Sequence, residues 1–419
     1  MQQKIVFVDG FHIRTVFGDM DFNIIHASGI SFHIPWYILP GEILVEQLVK
    51  DEFSFLMKTE KLERKLDSKY PNDYQTVRML VKKQLCKKTS KSHIRKTYRH
   101  KGLLVHEVDG GIVRRSLDPD FVSGGHYLIY PDYISKGEIW LDGKLNPKEL
   151  PYILKHESTE CHLMQQGASY IHAHDKAIHA EKLARVHDNF AFFIPHNPFR
   201  HLPFVSFKPH IRPRLLITAG IHGDEPSGTF ALATMLRDPK KSKIFMNKPL
   251  DILPLLNPQG FARNTRENLE DQDLNRYFGD HEQIDEPEES VLLKSYFSRK
   301  KYHYNLFLSL HEDTERKKIY LYDTNNGEKS PLVRKLFSIA RNMNIVRYSG
   351  LDDPELGNIA RNGYINIKPK DASPSFEEYL SRHNIARRVL TLETPGKISL
   401  EQKIRFADAL IKTVCQNFQ

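Results

Sequence analysis

Arg214-Leu215-Leu216-Ile217-Thr218-Ala219 reads as a buried apolar strand, and it runs directly into Gly220-Ile221-His222-Gly223-Asp224-Glu225. This junction constrains the chain more than any other segment. An apolar strand that ends in glycine and then in metal-liganding side chains belongs in an α/β sheet, where functional groups gather at the carboxyl ends of strands. The surrounding pattern agrees. Ser227 to Leu236 reads as a helix, and Leu250 to Leu256, Tyr304 to Leu310 and Arg388 to Leu392 read as further strands. The intervals between them suit helical crossovers. Residues 204–419 are therefore expected to form an α/β domain with a largely parallel or mixed sheet.

The strand ends carry the chemistry. Gly220 and Gly223 let the chain turn tightly while it presents His222 and Glu225. His311 follows Leu310 at another strand end. Two imidazoles and one carboxylate suit Zn²⁺ with one coordination position left for water, which is the catalytic arrangement. Asp224 and Glu312 are the neighbours expected to support these ligands from behind. Asn257-Pro258 ends the next strand and leads to Arg263, Arg266 and the segment Asp273-Leu274-Asn275-Arg276. Arginine binds carboxylate bidentately, as an enzyme holding an acidic substrate or a free C-terminus requires. Glu393, at the end of the last strand, is a natural general base. Tyr364, Lys368, Tyr379, Arg382 and Arg387 precede that strand and are expected near the pocket.

The chain has 419 residues, more than one hydrophobic core usually serves, so several domains are expected. Its 40% hydrophobic and 27% charged residues match an ordinary soluble protein. Cys86, Cys161 and Cys415 show no paired spacing, which argues against a disulfide framework and for a reducing compartment. The N-terminal apolar stretch is too short for a signal peptide, and no apolar run approaches bilayer length. A cytoplasmic protein with no membrane partner is the expectation. The net charge of +9 is partly local: Lys82 to Lys101 contains Lys83, Lys87, Lys88, Lys91, Arg95, Lys96 and Arg99 without an acid. With Tyr98 as its one aromatic, the run reads as a solvated basic linker or helix face rather than a nucleic-acid contact.

Before residue 190 one unit is written twice. The first copy, in residues 1–100, has Val8-Asp9-Gly10, Arg14, Asp21-Phe22, Ile34-Pro35-Trp36-Tyr37-Ile38 and Gly41-Glu42-Ile43. The second, in residues 101–190, has Val108-Asp109-Gly110, Arg114, Asp120-Phe121, Tyr130-Pro131-Asp132-Tyr133-Ile134 and Gly137-Glu138-Ile139. Helical segments come next in both, Glu52 to Leu66 and Glu149 to Leu163. Ile5 to Val8 and Leu103 to Val108 are β-prone, and the Asp-Gly pairs read as turns between apolar strands. Pro151 suits the start of a helix, Gly167 its end, and Ser169 the cap of a second helix over Tyr170 to Val186. An α+β unit, duplicated, is the expected architecture of this half. A proline-rich stretch from Pro195-His196-Asn197-Pro198 through Pro203 and Pro209 to Pro213 separates it from the C-terminal domain.

The second copy holds another metal-ligand pattern. His156 and Glu160 are four apart and share a helical face. His174 and Glu181, on the next helix, are seven apart and share a face too. Packed as a pair, the helices would bring His156, Glu160 and His174 around one ion, with Glu157 beside it as a base. The segment resembles a zincin helix whose second histidine has become glutamate. His162, His172, His179 and His187 make the same stretch histidine-rich, so a merely polar helix surface is the competing reading. The first copy has Thr59 where His156 stands, and Val77 or Arg78 where His174 stands. It lacks the means to build this site.

From about Phe204 onward the residues resemble the zinc carboxypeptidase superfamily, which includes succinylglutamate desuccinylase and aspartoacylase. Its His-x-x-Glu motif with a distant histidine falls on His222, Glu225 and His311, its Asn-Pro turn on Asn257-Pro258, and its Asp-x-Asn-Arg motif on Asp273, Asn275 and Arg276. Its transition-state arginine falls on Arg266, with Arg263 nearby, and its catalytic glutamate on Glu393. The resemblance implies a Zn²⁺ cofactor that acidifies water and polarises the scissile carbonyl. It further implies proton transfer by Glu393, oxyanion stabilisation by Arg266, and a grip on the substrate carboxylate by Asn275 and Arg276. The chain is thus expected to be a metallocarboxypeptidase acting on a peptide or peptide-like substrate. The alternative is an N-acyl amino acid deacylase of the succinylglutamate desuccinylase/aspartoacylase type, also acting on a substrate with a free carboxylate. His311-Glu312-Asp313 and Glu393-Thr394-Pro395 look more like the peptidase members. A third reading is a non-catalytic protein that binds a partner through its duplicated half. Replacement of a ligand or of Glu393 would have favoured it, and neither is seen.

Overall fold

The computed structural model describes residues 4–17, 36–71, 73–87, 92–188, 202–208, 211–212, 214–280, 284–298, 304–324, 328, 330–353, 357–368 and 373–418. Asp21, Phe22, Ile34 and Pro35 of the expected first copy, Lys88 and Lys91 of the basic run, and Pro195, His196, Asn197, Pro198, Pro209 and Pro213 of the proline-rich stretch lie outside these residues. The chain divides into two compact units, Met1–Ala191 and Phe192–Gln419. Among the described residues no helix is long and apolar enough to cross a membrane.

In unit 1, strand β1 (Lys4–Val8) leads to helix α1 (Gly10–Phe17) and to strand β2 (Glu42–Glu46), which pairs with β1 in parallel. Helices α2 (Phe53–Asp67) and α3 (Tyr74–Leu85) follow. Strands β3 (Ile94–His100) and β4 (Leu103–Val108) form an antiparallel pair. Beyond β4 come helix α4 (Gly110–Ser116), strands β5 (Gly124–His126) and β6 (Glu138–Asp142), and helices α5 (Leu150–Gln165) and α6 (Tyr170–His187). β6 pairs with β4 in parallel, and the sheet order is β3-β4-β6-β5.

Two strand pairs of unit 1, β1 with β2 and β4 with β6, each follow a strand–helix–strand order, with β5 preceding β6 in the second, and their registers correspond. β1 pairs with β2 so that Val8 faces Glu46, and β4 pairs with β6 so that Val108 faces Asp142. Lys4 N donates to Gly41 O and Leu104 N to Gly137 O. The Asp-Gly pairs depart from expectation. Asp9 and Asp109 do not turn between strands; they cap helices, accepting from the N–H groups of His12 and Ile112. A short carboxylate ahead of a helix satisfies an otherwise unpaired N–H, and here that outweighs the hairpin preference. Pro151, Gly167 (φ 91°) and Ser169 start, end and cap helices as expected. Part of the basic run lies on β3, where Arg95 and Lys96 pair with Asp109 and Glu107.

A buried ionic network ties the stretches together. Arg14 donates to Glu46 and, at 2.9 Å, to Glu149. Arg114 donates at 2.9 Å to both Asp142 and Glu52. Each arginine therefore holds the strand-end acid of its own stretch and the helix-start acid of the other.

In unit 2, a seven-stranded sheet runs β14-β11-β15-β10-β8-β9-β7. Its strands are β7 (Val205–Phe207), β8 (Arg214–Ala219), β9 (Leu250–Leu253), β10 (Tyr304–Asp313), β11 (Tyr320–Asp323), β14 (Tyr364–Asn366) and β15 (Val389–Pro395). A small antiparallel pair, β12 (Gly350–Asp353) and β13 (Asn358–Ala360), stands apart. The central strands β9, β8, β10 and β15 are parallel, while β7 and β11 run antiparallel to their neighbours on β9 and β15. The sheet is mixed, as the alternation of strands and helices implied. Helices α7 (Ser227–Arg237), α8 (Pro239–Met246), α9 (Pro258–Arg263), α10 (Glu288–Ser298), α11 (Pro331–Asn342), α12 (Phe376–Arg382) and α13 (Leu400–Asn417) complete the unit. Leu293 and Phe297 of α10 and Phe376 and Leu380 of α12 pack with Leu216 and Phe307 of the sheet in one buried cluster. Burying such side chains stabilises by roughly 2 kcal/mol each, which fixes the sheet on which the site stands.

Candidate active site

Four parallel strands end together, and the site is built on those ends. β8 finishes at Ala219. Gly220 then adopts φ 63°, where a side chain would be strained, and the chain turns toward Ile221 and His222. Gly223 presses on the start of α9, where an added Cβ would fall 2.0 Å from the Gly260 carbonyl carbon. This close approach holds the His222–Glu225 loop against the Asn257-Pro258 turn, where Asn257 caps α9 through Gly260 N.

His222, Glu225 and His311 are all buried and offer ligand atoms within 4.8 Å of one another. Glu225 lies between the imidazoles. Its Oε1 is 2.7 Å from His222 Nδ1 and its Oε2 is 3.0 Å from His311 Nδ1. The far nitrogen of each ring is backed by another carboxylate. His222 Nε2 is 3.2 Å from Asp273 Oδ1, and His311 Nε2 is 3.0 Å from Glu377 Oε1. An imidazole that donates Nε2–H to such a partner presents its Nδ1 lone pair on the other side. Two imidazole nitrogens and a carboxylate converging in a buried space are a donor set that a cation would engage in place of the Nδ1 protons, and its composition fits Zn²⁺.

The electrostatics agree. Burial opposes ionisation of Glu225, yet His222 and His311 outweigh it and hold the carboxyl well below the usual range. Burial likewise opposes charge on His311, and Glu225 and Glu377 reverse this and raise its pKa.

Glu393 faces His311 in the parallel register of β15 and β10, so both side chains emerge on the same face of the sheet. Burial pushes its carboxyl up to about 8. His311 and His222 pull the other way, and Glu225 adds to the rise. Arg266 reaches the cluster: its Nε is 3.0 Å from Asp273 Oδ2 and its Nη1 3.5 Å from Glu225 Oε1. Arg263, on α9, is exposed, and of the two arginines it is Arg266 that contacts the cluster. Arg276 is exposed and donates to the carbonyl of Asn275.

Asn275 departs from expectation. Its amide does not face outward for substrate: Nδ2 donates to Glu377 Oε2 at 3.1 Å, and Oδ1 accepts from Phe376 N at 2.8 Å. With both ends engaged in the interior, it positions Glu377. Glu312 also departs. Side chains alternate along β10, so Glu312 points to the sheet face opposite His311, where it accepts from Ser227 N at the start of α7 and from Lys403. Asp224 Oδ1 is buried and has no hydrogen-bond partner among the described residues. The supporting carboxylates are instead Asp273 and Glu377. Tyr364 is buried with its hydroxyl on Asp323, and Arg382 is paired with Asp280, so neither is turned to a ligand.

Sequence reasoning missed Glu377. It enters from α12, where Ser375 caps the helix through Glu378 N. The Ser-x-x-Glu spacing marks a helix start and accounts for Glu378. The adjacent acid, left without a role by that motif, was the available signal.

Residues 211–353 match the catalytic-domain model of the succinylglutamate desuccinylase/aspartoacylase family. A curated relative, carboxypeptidase SOL1 of Arabidopsis thaliana, is 37% identical over 76 residues, and the match spans 16% of each chain. A candidate metallopeptidase from Shewanella amazonensis superposes over 51% of this chain and 80% of its own, at 26% identity and a TM-score of 0.44. A metallo-carboxypeptidase from Burkholderia cenocepacia covers 51% of this chain and 60% of its own, at 15% identity and a TM-score of 0.37. The succinylglutamate desuccinylase/aspartoacylase match covers His222, Glu225, Arg266, Asp273 and His311 and stops short of Glu377 and Glu393.

Proposed function

We propose that the C-terminal half is a zinc-dependent metallocarboxypeptidase that hydrolyses the C-terminal amide bond of a peptide or peptide-like substrate. The observation that carries this reading is the meeting of His222 and His311 through their Nδ1 atoms on Glu225, with Glu393 in register beside His311. His222, Glu225 and His311 would hold the ion. When bound, zinc supplies Lewis acidity, polarising the scissile carbonyl and acidifying water.

The chain's own groups do the rest. Glu393 accepts a proton from the attacking water and later delivers it to the leaving nitrogen. The water oxygen bonds to the acyl carbon as the C–N bond breaks, so the products are a carboxylic acid and an amine. Arg266, beside Glu225, donates to the developing oxyanion. Arg276, exposed at the cluster's edge, pairs with the substrate carboxylate. Asp273 and Glu377 keep the imidazoles oriented.

A second reading has its own support. The family match favours an N-acyl amino acid deacylase, which would use the same metal set and the same glutamate. Hydrolysis of a panel of peptides and N-acyl amino acids, with chelator and Glu393→Gln controls, separates the two. Chelator-sensitive release of C-terminal residues supports the first reading, and release of acyl groups alone supports the second. No metal-dependent turnover with either class returns the chain to a binding role.

For unit 1 we infer that residues 1–100 and 101–190 are two copies of one α+β unit. The matched registers of β1–β2 and β4–β6 support this, as does the exchange of Glu52 and Glu149 between Arg114 and Arg14.

A further inference from the structure

Unit 1 contains a cavity of about 580 Å³. His156, Glu157, Glu160 and Glu181 line it from α5 and α6, together with His174. It lies wholly within unit 1 and has no part in the site described above. We propose that it houses a second divalent metal centre, with His156, Glu160 and His174 as ligands.

Three observations carry the proposal. The first is convergence. His156 Nε2 and His174 Nδ1 approach the same atom, Glu160 Oε2, at 3.5 and 3.7 Å. The three side chains offer ligand atoms within 4.8 Å of one another. Helix spacing brings this about: His156 and Glu160 are one turn apart on α5, and α6 packs beside it as the second arm of a helical hairpin.

The second observation is support from behind. His156 Nδ1 is 3.1 Å from Glu181 Oε2, which fixes the ring and turns Nε2 inward. Arg185 holds Glu181 in turn, at 3.1 Å from its Nε, and also binds Glu149. A polar helix surface has no need of this depth of order: Glu181 is 1% exposed and Arg185 fully buried.

The third is unmet bonding. His126 is fully buried on β5, and its Nε2 makes no hydrogen bond among the described residues while standing 3.9 Å from Glu160 Oε2. Glu160 is 3% exposed, and its Oε1 is also without a partner. Buried polar atoms of this kind are costly unless something binds them. A cation between His156, Glu160 and His174 would engage Glu160 and leave His126 within reach as a further donor.

Two imidazoles and a carboxylate with open cavity beside them make the catalytic type of ligand set rather than a closed structural one. Zn²⁺ or another borderline cation suits these donors better than Ca²⁺ or Mg²⁺, which take oxygen ligands. The lining also carries Glu60, Glu63, Asp67 and Asp120 against Arg78 and Arg114, an acidic excess that would favour a cationic organic ligand in the same cavity. The first copy offers Thr59 where His156 stands and Val77 or Arg78 where His174 stands, so it does not repeat this ligand set.

The test uses the full chain with His222→Ala and His311→Ala, which removes the C-terminal ligands and leaves unit 1 intact. Metal-free protein is titrated with Co²⁺, and bound metal is counted alongside the visible absorption of the ion. One Co²⁺ per chain is expected, lost when His156→Ala or the milder His174→Gln is added. No stoichiometric binding to the parent variant overturns the proposal, as does binding that survives both additions. Wild-type counts keep the two centres distinct. Two ions per chain support both, while a single ion lost with His156→Ala supports this centre and removes the C-terminal one.

Discussion

His311 and Glu393 stand side by side on adjacent parallel strands, register partners at the carboxyl ends of β10 and β15. The proposed ligand and the proposed proton carrier are thus fixed to each other by backbone hydrogen bonds rather than by loops. Glu393→Gln keeps the shape and removes the base. Turnover is expected to fall by about 10²- to 10⁴-fold while zinc content stays unchanged, as measured by steady-state kinetics and metal analysis on one sample. Loss of metal together with activity would instead make Glu393 a structural residue.

Glu377 acts through His311. Glu377→Gln removes the charge behind the imidazole but keeps a hydrogen-bonding group for Asn275. Zinc affinity is expected to weaken by roughly 10- to 100-fold, read by competition with a chromophoric chelator. Excess zinc is expected to restore most of the activity. A general packing defect would not be rescued in this way.

Arg266 and Arg276 separate in kinetics. Arg266 touches Glu225 and Asp273 inside the cluster, whereas Arg276 is exposed at its edge. Arg266→Ala is expected to lower kcat by about 10²- to 10³-fold. Arg276→Ala is expected to raise KM with kcat little altered, the sign of lost uniform binding.

Glu52 gives unit 1 a dependence on pH. Burial opposes its ionisation, yet Arg114 and Lys144 outweigh this and lower its pKa below 4.5. A carboxyl depressed in the fold adds stability above its unfolded pKa, and that stability is lost as pH falls through the folded value. Glu52→Gln leaves Arg114 with one fewer buried partner and is expected to cost about 3 kcal/mol near pH 7. The difference from wild type should shrink in acid, once Glu52 itself is protonated. Trp36 and Trp140, the two tryptophans of the chain, both lie in unit 1, so denaturant titration followed by their fluorescence reads this unit.

Much of the C-terminal site was legible because its parts lie on short apolar strands and the turns at their ends. Arg214–Ala219 has the same bounds in sequence and structure, and His222, Glu225, His311 and Glu393 gather where strand ends are expected to gather. Nearness in sequence points Glu312 toward His311, but alternation along β10 turns it to the other face, onto Ser227 and Lys403. Glu377 was illegible because it arrives from α12, distant in sequence, and only tertiary packing brings it to His311. The Asp-Gly pairs are ambiguous for a local reason: the same dipeptide serves a hairpin or, as at Asp9 and Asp109, a helix cap, and the residues after it decide which.

Anomalous diffraction at the zinc edge from crystals of the zinc-loaded full chain tests the central claim most directly. The account predicts a peak about 2.0–2.1 Å from the Nδ1 atoms of His222 and His311 and bonded to Glu225, with the Glu393 carboxylate facing it. A zinc-loaded, folded protein with no density at that position would contradict it.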